Sequence, residues 1–339
     1  MCENAVNARV PVAVPGARGS SPLLKKVAGA VAATVALGAA TAAYGHFIEL
    51  NNFQLRTESL PVLPAGSPDF RILHISDMHM IPGQQKKIDF MHSLAALEPD
   101  LVMNTGDNLS HVDGMGPLLE ALDPLMDFPG VFVPGSNCYF APVFKNPARY
   151  LWQPRTPQMI EEGSRVALPI ERMHDAFESR GWTGLINRYD TLNLKGLRLE
   201  FSGVDDPHLR YDEHPGFAPG AFDEGHEPSV RIGVAHAPYM RTLHRFVQDG
   251  AQAIFAGHTH GGQVCLPGGH ALVSNCDLPP SRAKGVSEQS GVPVQVSAGL
   301  GTSRFAPVRL FCPPEVILVT LTARDKEQGT SATSAGGRR

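Results

Sequence analysis

Five times in this chain an apolar, strand-like run stops on a residue able to ligate a cation. Residues 70–76 end at Asp77-Met78-His79, and residues 101–105 end at Gly106-Asp107-Asn108. Residues 130–133 lead into Pro134-Gly135-Ser136-Asn137-Cys138, 230–235 into His236, and 253–256 into Gly257-His258-Thr259-His260. Between the runs lie segments with helical period, such as Ile88, Met91, Leu94, Ala95 and Leu97 on one face, then 117–126 and 239–248. Strands alternating with helices predict an α/β fold, and in such folds ligands gather beyond the carboxyl ends of the strands. One polar strand end would be ordinary. Five endings in carboxylate, imidazole or amide point to a single edge on which they converge.

The donor set then limits the chemistry. His258 and His260 are two positions apart, so in extended backbone they face the same side, and the flanking glycines allow an exposed, tightly turned chain. Two Asp, four His and an amide exceed what one ion takes, which predicts two divalent ions. Mixed oxygen and nitrogen donors suit Mn, Fe or Zn and suit Mg or Ca poorly. Two ions about 3.5–4 Å apart can clamp both the attacking and the leaving oxygen of a phosphoryl displacement.

In order and spacing, Asp77-x-His79, Gly106-Asp107-Asn108, Pro134-Gly135-Ser136-Asn137, Ala235-His236 and Gly257-His258-Thr259-His260-Gly261-Gly262-Gln263 resemble the calcineurin-like metallophosphoesterases. The signature from Gly257 to Gln263 is similar to that of the membrane-associated bacterial branch, and the resemblance runs from about residue 70 to 320, through Gly299-Leu300-Gly301-Thr302-Ser303-Arg304. It implies a four-layer α/β/β/α sandwich preceded by an N-terminal hydrophobic segment, and phosphate mono- or diesters (or phosphoanhydrides) hydrolysed by metal-activated hydroxide. By the family pattern Asp77, His79, Asp107 and His260 hold one ion. Asp107, an asparagine, His236 and His258 hold the other, with Asp107 bridging. The third motif departs from the usual Gly-Asn-His-Asp/Glu. Aligned without a gap, Ser136 takes the ligand position, Asn137 that of the proton-donating histidine, and Cys138 that of the acid. Shifted by one, Asn137 is the ligand and no histidine follows. A positioned general acid is worth roughly 10²–10⁴-fold, so its loss predicts a preference for activated diesters or phosphoanhydrides over alkyl phosphates, testable in Asn137→His. His208, after another strand-like run, is a candidate replacement acid, beside the plainer reading of a turn histidine in Asp-Pro-His. Cys138 as a thiolate ligand competes with a small packed residue. The altered motif also supports an alternative function, a degenerate member that binds metal or phosphate without efficient turnover.

The remaining sequence sets the frame. Residues 1–22 and 324–339 are expected to be disordered, 23–50 to be an anchor or signal segment, 51–69 a linker, and 70–323 the catalytic domain. Residues 27–44 are free of charge and follow Lys25-Lys26; as a helix they would span about 27 Å, just short of a hydrocarbon core. They read first as a single membrane anchor with the catalytic domain outside the cytoplasm, second as a cleaved signal peptide, third as a buried helix. An anchored enzyme would have envelope lipids, wall phosphates and nucleotides within reach. Residues 139–170, rich in proline, read as a long excursion. A net charge of −4 offers no case for nucleic acid, and five scattered cysteines form no disulfide framework. His74 reads as buried or supporting a ligand, His244 as surface, and Met78 and Met80 as packing. Arg304 and Arg309 read as phosphate contacts or as a solvated face.

Overall fold

Period-two alternation in the strands builds two sheets that share a core. The computed structural model describes residues 22–143, 165–219, 229–302 and 304–324. Apart from Pro22 and Arg324, the ends expected to be disordered lie outside the described residues, as do 144–164 of the excursion, 220–228 and Ser303. Two units are distinguished, Met1–Ala43 and Tyr44–Arg339.

Helix α1 (Pro22–Phe47) opens the described chain, followed by β1 (Gln54–Leu63), β2 (Phe70–Ile75), α2 (Gln85–Ser93), β3 (Leu101–Asn104), α3 (Met115–Leu122), β4 (Gly130–Phe132) and the single turn α4 (Ser136–Tyr139). Next come α5 (Ile170–Ser179), β5 (Trp182–Gly184), β6 (Arg188–Leu194), β7 (Leu197–Gly203), β8 (Ser229–Val234), α6 (Met240–Gln248) and β9 (Ala253–Ala256). A small hairpin, β10 (Cys265–Leu266) with β11 (His270–Ala271), precedes β12 (Gly285–Gln289), β13 (Val292–Val296) and β14 (Glu315–Ala323).

One sheet runs β1-β14-β2-β3-β4-β5 and the other β12-β13-β9-β8-β7-β6. Alternate residues of each strand serve different layers. On β2, Phe70 and Ile72 enter the core between the sheets, where Phe201, Val230, Ile232 and Phe255 of the second sheet meet them. Leu73 and Ile75 face the other way, against Ile88 and Met91 of α2, Leu118 of α3 and Phe177 of α5. Leu243 and Phe246 of α6 cover the outer face of the second sheet over Ile254 and Val294. Gly233 is required there, since a Cβ would stand 2.7 Å from the Phe246 ring. The result is the expected four-layer α/β/β/α sandwich. β2 to β5 are parallel in one sheet and β7 to β9 in the other, so the polar strand ends of each gather on one edge.

The expected linker at 51–69 is corrected. It contains β1, paired in parallel with β14 from Gln54↔Glu315 to Leu63↔Ala323, with Leu60, Val62 and Leu63 buried. Pro61 disguised it, because a proline is tolerated in a strand only at a sheet edge, which is where β1 lies. The domain also begins earlier than residue 70. Glu49 is buried and its carboxylate accepts the Cys312 N–H at 2.6 Å. Helix α1 carries most of a stretch, Lys25–Asn51, long and apolar enough to cross a membrane.

His74 is buried as expected, edge-on to Phe255 and bonded through Nε2 to Thr105 Oγ1 at 3.0 Å. Burial lowers its pKa from 6.5 to about 3. Between those values the unfolded chain binds a proton that the fold excludes, so stability falls as pH drops from about 6.5 toward 3. One proton is worth about 1.4 kcal/mol per pH unit at most. Metal-free His74→Phe should lose stability less steeply than the parent between pH 6 and 4, by up to that slope, in denaturant titrations; parallel profiles would contradict the assignment.

Candidate active site

Seven side chains from five strand ends meet where the two sheet edges come together. The backbone is bent to bring them there. Asp77, His79, Asp107, His258 and His260 all have positive φ (49°, 46°, 53°, 68° and 50°). Non-glycine residues seldom adopt this region, at roughly 1–3 kcal/mol each where the surroundings impose it. Those surroundings are backbone hydrogen bonds between the loops: Asp77 N–H to Gly106 O (2.8 Å), His79 N–H to Asp107 O (2.9 Å) and Gly301 N–H to Asp77 O (2.6 Å). Two glycines permit the approach. A Cβ on Gly135 would meet Asp107 Oδ1 at 2.4 Å, and one on Gly257 would lie 1.8 Å from Ser76 Oγ.

Two groups result, with Asp107 in both: Asp77, His79, Asp107 and His260, and Asp107, His236 and His258. In the first, His79 Nε2 lies 3.1 Å from His260 Nε2 and 3.5 Å from Asp107 Oδ2, and His260 Nε2 lies 3.6 Å from Asp77 Oδ1. In the second, His236 Nε2 is 3.4 Å from Asp107 Oδ2 and 3.3 Å from His258 Nδ1. Each ring is held from behind. His79 Nδ1 meets Ser110 Oγ at 2.8 Å, His236 Nδ1 the Thr105 carbonyl at 2.7 Å, and His260 Nδ1 the Gly301 carbonyl at 3.1 Å. His258 is turned round, with Nε2 3.3 Å from the Asn275 carbonyl and Nδ1 facing the cluster. Partners of this kind fix ring orientation and tautomer in metal sites.

The donors fit divalent cations. Asp77 Oδ1 is buried with no hydrogen-bond partner among the described residues, which is costly unless a cation meets it. Burial keeps three of the rings neutral, lowering His79 and His260 to about 3 and His258 well below its ordinary value. Burial opposes charge on His236 too, but the Asp107 carboxylate beside it raises its pKa to about 10. For Asp107, burial raises the pKa, yet His236 and His79 together with the Asn137 hydrogen bond pull it well below the carboxylate range. An ion entering here must displace the His236 proton.

Asn137 joins the cluster. Its backbone N–H donates to Asp107 Oδ1 at 2.7 Å and its side-chain Nδ2 to Asp107 Oδ2 at 2.8 Å. Ser136 lines the adjoining cavity. The residue after the asparagine is Cys138, fully buried and accepting from Asn108 Nδ2 at 3.8 Å. Burial pushes its thiol up to about 12, and its side chain belongs to the core that holds Met173 and Phe177. His208 shares the cavity of about 560 Å³ with His79, Asp107, Asn137, His258 and His260. Its ring centroid is 4.7 Å from that of His258, and its Nδ1 is 3.0 Å from Tyr239 Oη. The Asp206 carboxylate accepts the His208 and Leu209 backbone N–H groups, closing the turn.

Arg309 departs from both of its expected roles. It is wholly buried and donates to the carbonyls of Ala298 (2.6 Å), Gly299 (3.0 Å) and Gly301 (2.7 Å). It therefore clamps the loop whose Gly301 carbonyl orients His260. Arg304, with its guanidinium 6.0 Å from the Phe305 ring centroid, is exposed. Met78 and Met80 are core and His244 is exposed, as expected. The supporting residues Ser110, Thr105, Asn275, Asp206 and Tyr239 escaped the sequence reading; only the strand ending before Asp206 gave a signal.

Comparison with known proteins agrees. The family model for the calcineurin-like phosphoesterases matches residues 70–262. A Bacillus subtilis protein, uncharacterized protein YpbG, is 26% identical over 87% of this chain and 96% of its own length. The uncharacterized metallophosphoesterase YkuE of the same organism is 24% identical, over 87% of this chain and 92% of its own. An uncharacterized metallophosphoesterase of Aquifex aeolicus is 25% identical, over 86% and 98% respectively. The chain belongs to the calcineurin-like phosphoesterase family.

Removing a supporting contact should loosen metal without unfolding the protein. Ser110→Ala is expected to weaken divalent-ion affinity about 10- to 100-fold in chelator competition, with little change in metal-free stability. Unchanged affinity would remove His79 from the ligand set.

Proposed function

We propose that this member of the calcineurin-like phosphoesterase family hydrolyses phosphate mono- or diesters or phosphoanhydrides at a dinuclear centre. Asp77, His79, Asp107 and His260 hold one ion, and Asp107, His236, His258 and Asn137 hold the other. The observation that carries this reading is the Asp107 carboxylate, common to both donor groups. Two divalent ions, with Mn, Fe or Zn suited to these donors, would supply Lewis acidity toward the phosphoryl oxygens and acidify the attacking water.

The chain's own residues do the rest. The Asn137 backbone N–H holds the Asp107 carboxylate, and a half-turn of its amide exchanges nitrogen for oxygen as the group offered to the centre. His208 is the proton donor to the leaving group. It faces the cavity from the β7 end, fixed by the Asp206 turn and Tyr239 Oη, and stands in for the histidine that the third motif lacks. Because Asn137 occupies the ligand position, Asn137→His would remove a ligand rather than restore an acid, so His208 is the residue to vary. The Lys25–Asn51 stretch supports a membrane anchor, and Lys25-Lys26 at its start support a catalytic domain outside the cytoplasm.

Asp107→Ala should abolish both metal loading and turnover. His208→Gln should cut hydrolysis of alkyl phosphates by about 10²–10⁴ while largely sparing aryl esters, whose leaving groups need no proton. Two bound ions without turnover of any phosphoester would instead establish a degenerate, binding-only member. An unchanged alkyl-to-aryl ratio would remove His208 from the reaction.

A further inference from the structure

The cavity beside the Asp107 cluster has far more room than a phosphate needs, at about 560 Å³. That is the size of site that encloses a whole small organic molecule. Its inner end is polar, where Asp107, Asn137, His208 and His258 face it. Phe140, Val143, Val264, Leu272 and Phe305 add an apolar wall, beside Arg165 and Gln263. Val143, Val264, Leu272 and Phe305 are each at least 40% exposed, unlike the large apolar side chains of the cores. Large apolar side chains clustered at the mouth of a polar site mark a surface that expects an apolar partner.

The same wall is tied to the end of the apolar helix. Phe305 and Ala306 belong to a segment fastened to the last turn of α1: His46 Nδ1 lies 2.7 Å from the Pro307 carbonyl, and Arg309 N–H donates to the Gly45 carbonyl at 3.3 Å. A Cβ on Gly45 would meet the Arg309 carbonyl oxygen at 2.6 Å, so the contact is close. Beyond it Phe47 and Ile48 are 70% and 58% exposed. The segment that carries Phe305 and Ala306 is thus fastened to Gly45 and His46, near the end of the stretch apolar enough to cross a membrane.

We propose that the phosphoester taken by this site is that of a membrane amphiphile, with its phosphate at the Asp107 cluster and its hydrocarbon chain along Val264, Leu272 and Phe305. This assignment rests on the phosphoesterase reading above. Against Val264, Leu272 and Phe305 the hydroxyls and ring nitrogens of a nucleotide or sugar phosphate would find no side-chain hydrogen bond, although Arg165, Gln263 and Asn275 line the same cavity.

The test uses the full-length, metal-loaded protein held soluble in amphipol, with p-nitrophenyl alkyl phosphodiesters from methyl to octyl. kcat/KM should rise roughly three- to fourfold per methylene until the wall is covered. Val264→Asp and Leu272→Asp should flatten that rise. Independently of turnover, octyl phosphonate should bind much more tightly than methyl phosphonate in calorimetry, and the same variants should close the gap. A flat series with the methyl ester hydrolysed, or a rise that survives in both variants, overturns the amphiphile assignment and leaves the phosphoesterase intact. Hydrolysis of no ester of any length, with phosphonate binding still chain-dependent, overturns the phosphoesterase reading and with it the substrate role of the wall.

Discussion

The Asp107 carboxylate is the point on which the structure turns. It is almost wholly buried, its two oxygens accept from the Asn137 backbone and side chain, and Oδ2 lies within 3.5 Å of nitrogens from His79 and His236. A carboxylate in that position is tolerable only if positive charge or donors surround it on every side. β2, β4 and β8 each deliver one of those partners at a strand end. Any slip in register of one strand relative to its neighbour would move a partner by a residue and turn it to the opposite face. The two sheets must therefore meet with their carboxyl edges together.

Holding a polar knot of this kind needs a rigid apolar frame, and the frame is visible in the division of labour along single strands. Ile72 and Leu73 are adjacent in sequence, yet one joins the core between the sheets and the other the core under α2 and α3. The strain at the five positive-φ ligands is borne by inter-loop hydrogen bonds and by Arg309, whose guanidinium gathers the carbonyls of 298, 299 and 301. Arg309 is as buried as any leucine in the core, which makes it part of the frame and removes it from the substrate face. The cavity, in contrast, keeps exposed apolar side chains at its mouth.

Much of this was legible in the chain because the constraints are local. A strand that ends in Asp-x-His or Gly-Asp-Asn declares its donors by position alone, so Asp77, His79, Asp107, His236, His258 and His260 could be gathered before any fold was known. The runs of β3 and β9 are apolar up to their ends, as suits strands covered on both faces, and those of β2 and β8 are each broken by only two polar residues, so all four stood out. β1 did not, since an edge strand tolerates Pro61 and exposes alternate residues, and it resembles a linker until β14 is set beside it.

What the sequence determined by itself was the list of candidate donors and the alternation of strands and helices, because donor chemistry and hydrophobic period are properties of short stretches. That Asn137 reaches Asp107 was decided only in three dimensions. Ser136 and Asn137 are both chemically acceptable, and the turn at α4 aims Asn137 at Asp107 across 30 positions of chain. The same holds for His208 beside His258, for Arg309 beneath the 298–301 loop, and for the end of α1 against Pro307. Most of those contacts join residues far apart in the chain, and their distances follow from how the sheets pack, which no local pattern encodes.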